Sequence, residues 1–244
     1  MFKMSKIAFV AGFGLLLGAF DAQAYNLVSN GDFETTTNGS GQMGLITDAT
    51  GWVTSGYNFV FTPGSADTTG VQSSYGNLQL WGPNNGGAPS NTLGASPTGG
   101  NYIGADGAFQ VGPITQTISG LVAGQQYSVG FDWAGAQQYG FTGDTTEQWI
   151  VSLGDESHST TIVQDISHGF TGWTHETFTF TAEGDSEVLS FLAVGTPNGE
   201  PPFSLLDGVT MTAVPEPASM AILGSGLAVL GFVRRRRARR PLTD

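Results

Sequence analysis

Gln126-Tyr127-Ser128-Val129-Gly130-Phe131-Asp132-Trp133 alternates strictly, placing Tyr127, Val129, Phe131 and Trp133 on one face and small or polar residues on the other. A period of two over eight residues reads as a half-buried β-strand. The same rhythm extends outward from it. Thr174-His175-Glu176-Thr177-Phe178-Thr179-Phe180 alternates at its end, and Glu187 to Val194 reads as a more buried strand. Ile114 to Ile118, Glu147 to Leu153 and Leu205 to Thr212 add three more. Turn formers separate them: Ser119-Gly120, Ala123-Gly124, Gly154-Asp155, Glu183-Gly184-Asp185 and Asn198-Gly199. Short strands, frequent turns and no helical period predict an all-β domain, an antiparallel β-sandwich. Residues 82–100 stand apart, because Gly, Pro, Asn and Ser dominate them. A structureless loop of that length is expected to bind something or to be disordered.

Charge is segregated along the chain. Every Lys and Arg lies near an end, at Lys3, Lys6, Arg234 to Arg237, Arg239 and Arg240, while 18 of the 20 acidic residues fall between Tyr25 and Pro217. The formal net charge is −12. Nucleic acid is excluded as a partner of the acidic region, since phosphate neutralisation needs cationic groups that it lacks. Anionic lipid headgroups would repel it. Neutral sugars and divalent cations remain compatible. Residues 25–213, 189 in number, suffice for one domain with a substantial core. With no cysteine in the chain, disulfides do not contribute.

The ends read as addresses. Lys3 and Lys6, an uncharged apolar run from Ile7 to Phe20 and the small-x-small site Ala22-Gln23-Ala24 make a signal peptide over residues 1–24, with cleavage before Tyr25. The competing reading, an N-terminal anchor, is opposed by a run shorter than the ~20 residues a span prefers. At the other end Val214-Pro215-Glu216-Pro217 precedes an uncharged stretch, Ala218 to Val233, and then the arginines. Sixteen helical residues reach about 24 Å at ~1.5 Å each, short of a ~30 Å hydrocarbon core. Snorkelling arginines and slight bilayer thinning make a single membrane helix workable, with the arginines kept in the cytoplasm. A buried core helix is the alternative, and the adjoining arginines oppose it.

The Pro-Glu-Pro signature, short apolar helix and arginine block (Arg234, Arg235, Arg236, Arg237 and beyond) resemble the PEP-CTERM sorting signal of Gram-negative, exopolysaccharide-producing bacteria, over residues 214–240. The resemblance implies recognition and processing by an exosortase at the inner membrane, with delivery to the cell surface or extracellular matrix. It implies nothing about residues 25–213. Those show a second resemblance. Asn26 to Glu34 looks like the opening strand of carbohydrate-binding modules with a galactose-binding-like jelly roll, Gly51-Trp52 like their next recurrent element, and Phe203 to Val209 like their last strand.

In that family a structural calcium often joins the first and last strands. The matching groups here are the Asp32 backbone carbonyl and the Glu34 and Asp207 carboxylates, hard oxygen donors that suit Ca2+. The plain alternative makes these acids ordinary turn residues. Sugar-stacking candidates are aromatic residues in or beside loops: Trp81, with Asn84 and Asn85 nearby, Tyr102 after the long loop, and Tyr139 within Gln137 to Phe141. Each could instead pack within the fold, and for Trp52, Trp133, Trp149 and Trp173 core packing is the expectation. His158, His168 and His175 fit no metal spacing, and no nucleophile elbow or selected carboxylate pair marks catalysis. The sequence reading is therefore a non-catalytic surface or exopolysaccharide-matrix protein. The alternatives are a dedicated carbohydrate-binding module and an exported hydrolase.

Overall fold

The computed structural model describes residues 25–215 together with Leu230, Arg234 and Arg235. The signal-peptide reading, with Ala22 and Ala24, lies outside the described residues, as do Glu216, Pro217, Arg236, Arg237 and most of the apolar stretch. Among the described residues no helix is long and apolar enough to cross a membrane.

The described residues form fourteen strands: β1 (Gly41–Gln42), β2 (Val53–Thr54), β3 (Asn58–Phe61), β4 (Val71–Ser73), β5 (Gly76–Leu78), β6 (Tyr102–Asp106), β7 (Ile114–Ser119), β8 (Gln126–Gln137), β9 (Thr145–Leu153), β10 (Glu156–Ser159), β11 (Val163–Asp165), β12 (Thr174–Thr181), β13 (Ser186–Thr196) and β14 (Pro202–Ala213). One sheet runs β1-β3-β6-β14-β8-β12. The other runs β10-β9-β13-β7-β2, with β11 also on β9. A β4-β5 hairpin stands apart. Every pairing between these strands is antiparallel. From β6 onward the chain shuttles between the two sheets, as a jelly-roll sandwich does.

The expected inner face of β8 is the one that packs. Tyr127, Val129, Phe131 and Trp133 join Trp149, Val151, Phe191, Leu206 and Met211 in the core between the sheets. The rings of Phe131 and Phe191 meet edge-on at 5.2 Å. Trp52, Trp133 and Trp149 are core residues as expected, and Trp173 packs against a second cluster.

That second cluster lies on the opposite face of the first sheet. Phe59, Phe61, Tyr102, Ala134, Ala136, Phe203 and Leu205 alternate with inward residues on β3, β6, β8 and β14. Ala66, Val71, Leu78, Leu80 and Leu93, all from the segment between β3 and β6, cover them. Each Val or Leu among them contributes ~1.5–3 kcal/mol on burial. The long loop, residues 82–100, lends Leu93 to that cover and is folded onto the sheet rather than disordered. Asn91 pins it, donating from Nδ2 to the carbonyls of Trp81, His168 and Gly169 at 3.0, 2.8 and 2.8 Å.

One expected strand is absent. Asn26 to Glu34 runs beside β14, where Leu27 N donates to Met211 O and Val209 N to Gly31 O, but forms no regular ladder. Asn30 and Phe33 adopt positive φ (51° and 55°), which breaks the extended conformation. Opposite this segment β14 bulges between Asp207 and Thr210. Gly208 sits there at φ 61°, where a Cβ would come within 2.9 Å of Thr98 Cγ2 and 3.0 Å of Asp132 Oδ2.

Candidate functional site: an aromatic cleft

Four connections meet at one end of the first sheet: the β4-β5 tip, the loop after β6, the residues following β8 and the turn before β14. Between them lies a cleft of about 250 Å³ lined by Tyr57, Tyr75, Asp106, Phe109, Gln138, Phe141 and Asn198, among others. Tyr57, Tyr75 and Phe109 form a triangle of edge-on rings, with centroids 5.3 to 5.9 Å apart. Tyr57 is fixed from below by donation of its hydroxyl to Ser73 Oγ at 3.1 Å. Gln110 Nε2 donates to Tyr75 Oη at 3.0 Å. Tyr75 stays 66% exposed and Phe109 40%.

Asp106 ends β6 and is only 1% exposed. Its Oδ1 accepts from the Ala108 and Phe109 backbone N–H groups at 2.8 and 2.9 Å, which shapes the loop that presents Phe109. Its buried Oδ2 has no hydrogen-bond partner. Burial raises its pKa to about 6, against the lowering effect of those two N–H donors. Burial also raises the Tyr57 hydroxyl. The cleft therefore offers apolar ring surface and two neutral amides, above a buried carboxyl group short of a donor. A polyol's hydroxyls supply donors, and its C–H faces suit the rings.

The sequence-selected aromatics divide. Trp81 and Tyr139 come together, ring centroids 4.4 Å apart, and adjoin the cleft, since Trp81 Nε1 donates to the Phe141 carbonyl at 2.8 Å. One face of Trp81 is stacked on His168 at 3.8 Å, while Tyr139 remains exposed. Tyr102 does not reach a loop surface as expected. It lies in β6 at 3% exposure, stacked on Phe61 at 5.6 Å and edge-on to Trp173 at 5.5 Å. The alternation of β6 places it under the covering segment, and burial pushes its hydroxyl pKa up. Tyr57, Tyr75, Asp106 and Phe109 were not singled out by sequence. Tyr75-Gly76 in a tight turn and Asp106-Gly107 before Phe109 are signals of presented rings, but nothing local joins Tyr75 to Phe109, 34 residues further on.

The acids of the calcium expectation converge on one turn. Glu34 Oε1 accepts from Asn101 N at 2.6 Å, and the bare Gly100 leaves room for that carboxylate. Asp207 accepts from the Ser96 and Thr98 hydroxyls and from Gly208 N. Asp32, Thr98 and Gly208 border one depression of about 380 Å³ beside them. Burial raises Asp207 to about 6 despite its donors. The donor set is all oxygen, the chemistry a hard cation requires. Among the described residues, no three His, Asp or Glu side chains gather into a metal cluster, so backbone and hydroxyl oxygens would have to complete the shell.

The chain matches a PEP-CTERM protein-sorting motif over residues 213–237. It carries the mark of an exported Gram-negative surface or extracellular protein, and the motif implies exosortase processing. The chain is also 27% identical over 225 residues to halomucin of Haloquadratum walsbyi (strain DSM 16790 / HBSQ001), covering 89% of this chain and 2% of that protein's length. Among solved structures it is similar to TmCBM61 in complex with beta-1,4-galactotriose, with TM-score 0.42, 16% identity, and 78% and 99% of the two chains covered. It is also similar to the CBM22-1 xylan-binding domain of Paenibacillus barcinonensis Xyn10C, with TM-score 0.37, 11% identity, and 80% and 97% covered.

Proposed function

We propose that this protein is a non-catalytic component of the cell surface or exopolysaccharide matrix that holds neutral glycan in the aromatic cleft. The observation that carries the reading is the Tyr57-Tyr75-Phe109 triangle beside an unsatisfied Asp106 in a region free of Lys and Arg. At about 250 Å³ the cleft is slightly smaller than the ~300–1,000 Å³ typical of small-molecule sites, which suits one or two sugar units of a longer chain. Tyr139 and Trp81 extend the surface beyond Phe141. On this reading a structural Ca2+ held by the Asp32 carbonyl, Glu34 and Asp207 ties the N-terminal segment to β14. Its chemistry is cross-linking alone, and the protein's own contribution is to aim oxygens at it from the 96–101 turn. The tail residues Val214 to Pro217 and the arginines direct export, with the apolar stretch held in the inner membrane before processing.

The test is co-sedimentation of the full chain with neutral polysaccharides and with the host's own exopolysaccharide, in calcium and in EDTA. Saturable association with a neutral polymer is expected. Release of shortened glycan during the assay would replace the reading with a hydrolase, and absence of association with every polymer would remove it.

A further inference from the structure

Two acidic side chains unused by the cleft lie in the sandwich interior. Glu147 on β9 has no exposed surface, and Asp165, the last residue of β11, is 2% exposed. Register sets Asp165 opposite Thr145 and Val163 opposite Glu147, so Thr145, Glu147 and Asp165 project from one face of the β9-β11 pair. That face looks toward β8. A Cβ on Gly135 would lie 2.7 Å from Glu147 Oε2, so the missing side chain leaves the room the carboxylate occupies.

Oxygen atoms outnumber protons there. Thr145 donates its hydroxyl to Glu147 Oε1. Glu147 Oε2 and Asp165 Oδ2 are buried and receive no hydrogen bond. The nearby Gln137 Nε2 has two protons but four acceptors within reach: Gly143 O at 3.2 Å, Thr145 Oγ1 at 2.9 Å, Asp165 O at 3.3 Å and Ile166 O at 3.1 Å. No Lys or Arg occurs from Ile7 to Val233 to answer the charge. The His168 ring is committed to Trp81 and to Thr142 Oγ1 at 3.1 Å. Burial, with each acid further opposed by a neighbouring carboxylate, raises Glu147 to about 8 and Asp165 to about 7. Two unpaired buried carboxylates are costly unless a cation or bound protons answer them.

We propose that Glu147 and Asp165 form a buried divalent-cation site of calcium type, completed by the Thr145 hydroxyl and the surrounding backbone carbonyls. All the donors are oxygen, which excludes the softer nitrogen- and sulfur-seeking metals. An irregular, protein-enclosed shell suits Ca2+ better than Mg2+, which demands octahedral geometry and keeps its waters. The site is separate from Asp32, Glu34 and Asp207. It would clamp β9 and β11 to the Ile166-to-Gly169 turn, whose His168 N donates to Gln137 Oε1 at 2.7 Å and whose ring supports Trp81.

The test uses the full chain in mild detergent, stripped with EGTA and titrated with calcium chloride by equilibrium dialysis. Substituting Asp207→Asn removes the other candidate site. In that background one tightly bound ion per chain is expected, lost on adding Glu147→Gln or Asp165→Asn while far-UV circular dichroism is unchanged. A calcium count that neither added substitution lowers would overturn the proposal and leave the pair protonated. Should both variants misfold, terbium added to the Asp207→Asn chain decides. Trp149 is buried two residues along the same strand from Glu147. Tryptophan-sensitised emission displaced by calcium is then expected, and its absence contradicts the site.

Discussion

Asp106 concentrates the account at the level of one side chain. Its pKa rises from an ordinary 3.8 to about 6 because the folded protein strips water from the charged form. A carboxyl with a raised folded pKa binds its proton more tightly in the native state than when unfolded. Its stabilising contribution is full below about 3.8 and is lost as pH rises through about 6. At ~1.4 kcal/mol per pKa unit the loss is about 3 kcal/mol. Thermal melts of wild type and Asp106→Asn should therefore diverge with pH, the variant gaining relative stability between pH ~4 and ~7. Parallel curves would show that Asp106 is solvated. Ring deletions at Tyr75 or Phe109 should behave differently. Both side chains are exposed, so alanine there is expected to leave melting nearly unchanged while weakening glycan association about tenfold, the equivalent of ~1.4 kcal/mol.

Among the elements, the six strands read from alternation all form, because inward positions such as Tyr127, Val129, Phe131 and Trp133 repeat without interruption. The short β1 to β6 strands were less legible. Phe59-Val60-Phe61 and Leu205-Leu206 are apolar on consecutive residues because that part of the sheet is buried on both faces, and continuous apolar runs do not reveal a period. The 82–100 part of the cover is rich in Gly, Asn and Pro and is held by Asn91 and Leu93 rather than by any periodic pattern. Asn91→Ala should release it locally. Hydrogen exchange and proteolysis are expected to quicken within residues 82–100 while β8, β9, β13 and β14 stay protected, at a cost of ~1–3 kcal/mol. Uniform loss of protection across the sandwich would show that the cover is not a separate unit. Gly208→Ala tests the bulge in the same way. The left-handed backbone and the close Thr98 and Asp132 contacts predict destabilisation of ~1–3 kcal/mol. An unchanged melting temperature would contradict the bulge geometry.

For the whole molecule, charge and address were the most legible features, and the ligand-facing surface the least. The sorting motif is contiguous and was readable from Val214-Pro215-Glu216-Pro217 and the arginines alone. The cleft is assembled from four separate connections, so Tyr57, Tyr75 and Phe109 become neighbours only once the β4-β5 tip and the loop after β6 are placed. Trp81 and Tyr139 were singled out because each lies in a polar run, and the structure sets them beside that cleft through the Trp81 bond to the Phe141 carbonyl. A net charge of −12 makes an anionic polymer an unfavourable partner at low salt, whereas association with a neutral glycan should be nearly independent of ionic strength. Isothermal titration calorimetry tests the central claim most directly, using soluble oligosaccharides cut from the host's neutral exopolysaccharide with the wild-type chain and with the Tyr75→Ala/Phe109→Ala double variant. The account predicts saturable heat for wild type and none for a double variant that melts at the same temperature. Equal binding by both proteins would place the glycan elsewhere and contradict it.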